Sequence, residues 1–156
     1  MPVWYGSWTP FNMQPRPIRS YKDLAVWQRA IELLVAVNRV VRRIPLPERY
    51  DFGGQMRRAA LSVSANIAEG FGRDHLGDYL RSLPAARGSL FEIESDLLAL
   101  RALCLIPERE LEPVTSLANQ VGRMLTTQAR RLRARNRGKA RPRAFFDHNP
   151  DLGPRT

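Results

Sequence analysis

The sequence predicts an all-α protein, an antiparallel up-down-up-down four-helix bundle, with a proline- and aromatic-containing arm before it and an arginine-rich tail after it. Three observations carry that prediction. Apolar residues recur at alternating spacings of three and four through four long stretches, the periodicity of helices with one buried face. Short breaks rich in proline or glycine separate the stretches, and connections of that length join antiparallel neighbours. No stretch alternates apolar and polar residues as a strand would, and no internal repeat occurs. At 156 residues the chain is of single-domain size and can bury a core.

Residues 1–20, MPVWYGSWTPFNMQPRPIRS, combine Trp4, Tyr5, Trp8 and Phe11 with Pro2, Pro10, Pro15 and Pro17, which disfavour a helix. Two readings stay open: a flexible arm, or an arm whose aromatics dock on another subunit or stack on bases. The first helix is expected from about Asp23 to Ile44, starting at Ser20 or Lys22-Asp23 and stopped by Pro45-Leu46-Pro47. Leu24, Trp27, Ile31, Leu34, Asn38 and Val41 form its expected seam. Asn38 either fixes register through a hydrogen bond or sits at the boundary of that seam.

The second helix, roughly Gly53 to Phe71, is expected at the centre of the packing. Met56, Ala59, Val63, Ile67 and Gly70 form an apolar stripe beside a face of Arg58, Ser62, Ala65 and Glu69. Its many small side chains suit a close neighbour. Gly53-Gly54 reads as a flexible entry and Gly70-Phe71-Gly72 as the stop. The third helix is expected from about His75 to Leu103, with Asp74 as N-cap. Tyr79, Leu83, Ala86, Leu90, Ile93, Leu97, Leu100 and Cys104 keep its stripe, and Pro84 is expected to kink it. Cys104 reads as a small buried hydrophobe. The fourth helix begins between Pro107 and Pro113 and carries Leu111, Val114, Ala118, Val121, Leu125, Gln128 and Leu132. Gly138 and Pro142 are expected to end regular structure. The bundle is assigned to residues 21–135 and a basic flexible tail to residues 136–156.

The formal net charge is +10, and it is local. Residues 1–112 hold 15 Lys/Arg against 13 Asp/Glu, whereas residues 113–146 hold nine Lys/Arg and no acid. Those nine are Arg123, Arg130, Arg131, Arg133, Arg135, Arg137, Lys139, Arg141 and Arg143. Arginine prevails where phosphate is gripped bidentately or bases are stacked upon, and this run points to nucleic-acid binding through phosphates rather than base edges. A solvated face or a protein-docking surface remains the alternative; a membrane surface fits least, since few bulky apolar residues oppose the charge.

A single cysteine excludes a disulfide framework within the chain and is consistent with a reducing cytoplasm, where the protein is expected. No signal peptide or membrane span is visible in the sequence. Di-iron bundles need Glu-x-x-His pairs, and Gly72 and Phe145 stand three residues before His75 and His148, so no metal is expected. Glu92 and Asp96 share a face and read as a solvated edge. No Gly-rich phosphate loop, zinc motif or Cys–His nucleophile is present, so neither a cofactor nor an enzyme is expected. Arg58, Asn66, Glu69, Arg87, Ser89, Glu92 and Glu94 form a second polar set, read as a buried Arg–Glu network fixing helix register rather than as acid–base machinery.

The run RRAALSVSANIAEGFGR, with YKDLAVWQRAIEL before it and ARGSLFEIESDL after it, closely resembles the bacterial four-helix bundle family encoded in intervening sequences of 23S ribosomal RNA genes. It is more distantly similar to the accessory variability determinant proteins of diversity-generating retroelements. The resemblance covers roughly residues 21 to 135. It implies the bundle fold, a homopentamer, and a non-enzymatic RNA- or DNA-binding accessory, in the retroelement version one that holds a reverse transcriptase and its template RNA. A ribosome-associated or structural adaptor that docks an acidic protein is the alternative. Leu33, Val37, Val40 and Leu98 are apolar positions beyond one seam and are compatible with packing between copies.

Overall fold

The computed structural model describes residues 18–73 and 75–139. A 3₁₀ turn at Tyr21–Asp23 leads into α1 (Ala25–Arg43), followed by α2 (Glu48–Gly72), α3 (Leu76–Ala102) and α4 (Glu108–Lys139). Each helix packs on its chain neighbours and α1 closes on α4, so the four surround one core, as the periodicity predicts. Cross-helix bonds pin the antiparallel registers. Arg57 Nε donates to Asn38 Oδ1 at 3.1 Å, Ser89 Oγ to Ser62 Oγ at 2.8 Å, and Gln128 Nε2 to the Tyr79 hydroxyl at 3.4 Å. Arg43 grips Glu110 with two bonds of 3.0 Å between α1 and α4. Asn38 thus makes the register bond at the edge of the core.

Ser20 caps the 3₁₀ turn rather than α1: Asp23 Oδ2 accepts the backbone N–H groups of Arg19 and Ser20, and Ser20 Oγ accepts that of Lys22. The buried face of α1 is Val26, Ala30, Leu33, Val37, Val40 and Val41. This corrects the expected seam. Trp27, Ile31, Leu34 and Asn38 are only half-buried, whereas Leu33, Val37 and Val40 lie inside the subunit's own core and are not free for another copy. Two apolar stripes offset by one residue, about 100° of helix, run along α1, and their spacing is identical. The narrower Val/Ala-rich stripe enters the centre, and the stripe with Trp27 takes the flank.

α2 begins at Glu48, five residues before the expected start. Pro47 precedes its first residue, and Glu48 and Asp51 in the first turn suit the positive helix end. Arg49 reaches back to the carbonyls of Ile44 at 2.8 Å and Arg42 at 2.9 Å, closing the open end of α1. Gly53 is therefore not a flexible entry: a Cβ there would stand 2.9 Å from Val41 Cγ1. Gly70 is not part of the stop either. It is buried where α2 crosses α3, and a Cβ would lie 1.8 Å from Ser82 Oγ and 2.6 Å from Tyr79 Cδ2.

The α3 stripe from Tyr79 to Leu100 is buried as expected, and α3 continues through the exposed Pro84. His75 occupies the N-cap position, while Asp74, the expected cap, lies outside the described residues. Cys104 is exposed, which overturns its assignment to the core. It takes φ 54° just past the end of α3. There its N–H bonds Arg101 O at 3.0 Å and the N–H of Leu105 bonds Leu100 O at 3.1 Å, a Schellman ending with cysteine where glycine is usual. α4 starts directly after Pro107, includes Pro113, and continues to Lys139, beyond both Arg135 and Gly138.

Candidate nucleic-acid interface

α4 divides at Leu132, its last buried residue. Before that point Leu111, Val114, Ala118, Val121 and Leu125 hold the helix in the bundle. From Arg133 to Gly138 every residue is exposed, so about 10 Å of helix stands clear of the core. Arg123, Arg130 and Arg137 are seven apart in one row, Arg130 and Arg137 facing outward and Arg123 reaching the edge of a groove against α1. Arg133 follows Thr126 by seven and inclines to the α3 side, where Thr126 receives Arg87 Nη1 at 2.9 Å. Arg131 and Arg135 are one turn apart on the α1 side, with Arg131 lining a groove against α1.

None of these six arginines has a carboxylate partner among the described residues. The ion pairs lie elsewhere: Arg29–Glu32, Arg43–Glu110, Arg73–Glu69, Arg81–Asp78 and Arg101–Glu108. Arg131 and Arg135, like Arg133 and Arg137, are like-charged at i, i+4, which costs an exposed helix about 0.2–0.5 kcal/mol per pair. The C-terminal helix dipole offsets part of this. A row of phosphates would remove the repulsion altogether. Lys139 ends α4, and Arg141 and Arg143 lie outside the described residues. So do residues 1–17 with their aromatics.

The second polar set is dispersed. Asn66 Nδ2 donates to Ser62 O at 2.8 Å and to Ser62 Oγ at 3.0 Å, and Ser89 joins that hydroxyl, making a small knot between α2 and α3. Arg58, Glu69, Arg87 and Glu92 are exposed. Glu69 pairs with Arg73 on its own helix, and Arg87 lies 5.3 Å over the Phe91 ring. Contact as close as that at Gly70 leaves no room for a guanidinium between α2 and α3. Asp96 is the residue that sequence reasoning misplaced. It is 7% exposed, accepts Gln55 Nε2 at 3.3 Å, and leaves Oδ2 with no partner. Burial first, and Glu92 second, push its carboxyl above the ordinary value. No cluster of metal-ligating residues occurs among the described residues, and none of their helices is long and apolar enough to cross a membrane.

The family model of the 23S rRNA-intervening sequence protein matches residues 22–127. The chain belongs to that family. Among solved structures, this 23S rRNA-intervening sequence family member is similar to a protein of unknown function from the S23 ribosomal protein family of Bacteroides thetaiotaomicron. The TM-score is 0.62 and the identity 20%, over 67% of this chain and 95% of that one. At that identity the likeness speaks for the fold. No curated protein matches the chain. The stretch shared with the 23S rRNA-intervening sequence family ends at Thr127, so it includes Arg123 while Arg130 to Arg137 lie past it.

Proposed function

We propose that this protein is a non-enzymatic, homo-oligomeric nucleic-acid-binding accessory, with RNA the favoured ligand. One observation carries the reading: six arginines without acidic partners among the described residues lie on α4 from its midpoint onward, three of them beyond the last buried residue. Such a surface meets a phosphate backbone without opposing carboxylates and without sequence preference. Membership of a family named for ribosomal RNA intervening sequences favours RNA over DNA.

A second copy of the chain is the proposed partner, and the resemblance sets the number at five. Two exposed apolar patches support self-association. Leu61 at 53% and Val35 at 45% exposure face outward where α1 meets α2, and Phe91 at 53% and Leu98 at 59% do so where α3 meets α4. These sides are opposite in the ring of helices. Patches on opposite sides suit a head-to-tail contact that closes into a cyclic assembly. Repetition then multiplies a weak phosphate site into useful avidity. Support of a reverse transcriptase and its template RNA is the setting inferred from the retroelement resemblance, and a neighbouring reverse-transcriptase gene is its test.

Fluorescence anisotropy with a structured RNA and a duplex DNA over a salt series tests the reading. Tight binding with a steep loss of affinity in salt is expected. Alanine at Arg130, Arg131, Arg133, Arg135 and Arg137 together should abolish binding and leave the helical circular dichroism intact. Each lost phosphate contact lowers the salt slope by roughly 0.7–0.9. Absence of binding at low salt, with an acidic protein recovered in nuclease-treated pull-downs, would replace this reading with the adaptor alternative.

A further inference from the structure

Between the first turns of α1 and the C-terminal half of α4 lies a groove of about 910 Å³. That volume is near the top of the ~300–1,000 Å³ usual for ligand sites. Arg123, Thr127 and Arg131 line it from α4 at i, i+4 and i+8, so their backbone positions span about 12 Å of helix with a hydroxyl between the two arginines. The hydroxyls of Thr115 and Thr126 are turned onto the carbonyls of Leu111 and Gly122 four residues back; that of Thr127 makes no such bond. The opposite wall is α1. On that side Glu32 pairs with Arg29 at 2.5 Å, and Asp23 of the 3₁₀ turn accepts the Arg19 and Ser20 amides, so the charged lining is three arginines against two carboxylates. The first turn of α1 carries no acid and no side-chain cap, and adds its positive end to charges already there. Leu24, Val26 and Met124 supply an apolar floor, with Ile18 at the mouth.

We propose that this groove is a seat for single-stranded nucleic acid, its phosphates running along Arg123, Thr127 and Arg131 and its base faces against the apolar floor. The proposal rests on the reading that α4 binds nucleic acid, and adds where the strand lies and in what form. α1 and α4 pack on each other, so the groove is a surface cleft along their seam, and its apolar floor can meet the faces of unpaired bases. A duplex keeps its base faces stacked inside and meets the protein through its phosphates, on the exposed arginines. A 12 Å reach matches about three to four stacked nucleotides at ~3.4 Å each. The groove therefore selects single strands, while Arg130, Arg133 and Arg137 attract any polyanion.

The test compares labelled oligouridylate, oligothymidylate and a duplex RNA of equal length, bound to the full chain. Wild type should bind a single strand more tightly than the duplex, and the tighter of the two homopolymers identifies RNA or DNA as the source. Arg123→Ala with Arg131→Ala should weaken single-strand binding about tenfold and duplex binding much less, because only the strand enters the groove. Ala25→Glu is the second variant. It puts a carboxylate on the α1 wall at a helix start that favours acids, so thermal stability should hold or rise while single-strand affinity falls. Equal losses for strand and duplex in the first variant, or unchanged strand affinity in Ala25→Glu, would overturn the groove while leaving the basic helix as the binding surface. No binding of any probe by wild type at low salt would remove the underlying reading itself.

Discussion

The carboxyl of Asp96 faces α2 with one oxygen on Gln55 and the other on nothing, and its proton affinity is raised by burial. The unfolded chain would release that proton near the ordinary value of 3.8, the folded chain at higher pH. Between those two values the folded state binds more protons, so stability falls as pH rises through the window and is fully restored below it. Asp96→Asn removes the cost. Its melting temperature should exceed that of the wild type at pH 7, with the gap closing as pH falls towards 4; thermal melts by circular dichroism across that range check this. A gap independent of pH would show that the charge is not the cause. Nothing in the sequence marks Asp96 as buried, because its i−4 neighbour Glu92 is exposed and both belong to one polar-looking edge.

Gly70 shows how an element depends on the one beside it. In isolation, alanine in place of a helical glycine stabilises by about 1 kcal/mol. Here the added carbon would overlap Ser82 Oγ and the Tyr79 ring, and overpacking of that kind costs ~1–3 kcal/mol. Gly70→Ala should therefore destabilise the bundle in urea titrations, and Ser82→Ala should restore only part of the loss, because Tyr79 remains in the way. The stripes of α3 and α4 were legible because each has a single apolar face, so one period leads to one burial pattern. α1 was not: its two stripes have equal spacing, and only the shape of the neighbouring helices chooses between them. The start of α2 was hidden for a related reason, since Gly53-Gly54 resembles a linker until Val41 is seen against it. The arginine run of α4 could be read from composition. The groove beside it could not, because its walls come from residues about a hundred positions apart in the chain.

Among the described residues, the molecule carries apolar patches on two opposite sides and the arginine run of α4 at one end. If the patches join copies head to tail, Leu61→Glu on one side and Phe91→Glu on the other should each reduce the mass in light scattering to that of a single chain. Helical circular dichroism should not change, since both side chains are about half exposed. Polyanion binding by these single chains should weaken through lost avidity and retain its salt dependence. A wild type that is already monomeric would remove the assembly from the proposed function.

The exposed thiol of Cys104 sits in the turn before α4, and α4 then runs 32 residues, about 48 Å, towards the cationic end. The chain has no second cysteine. A maleimide dye or a surface tether placed there would hold the protein by its far pole, with the arginines and the groove pointing away from the attachment. The fold thus has a built-in handle for oriented immobilisation.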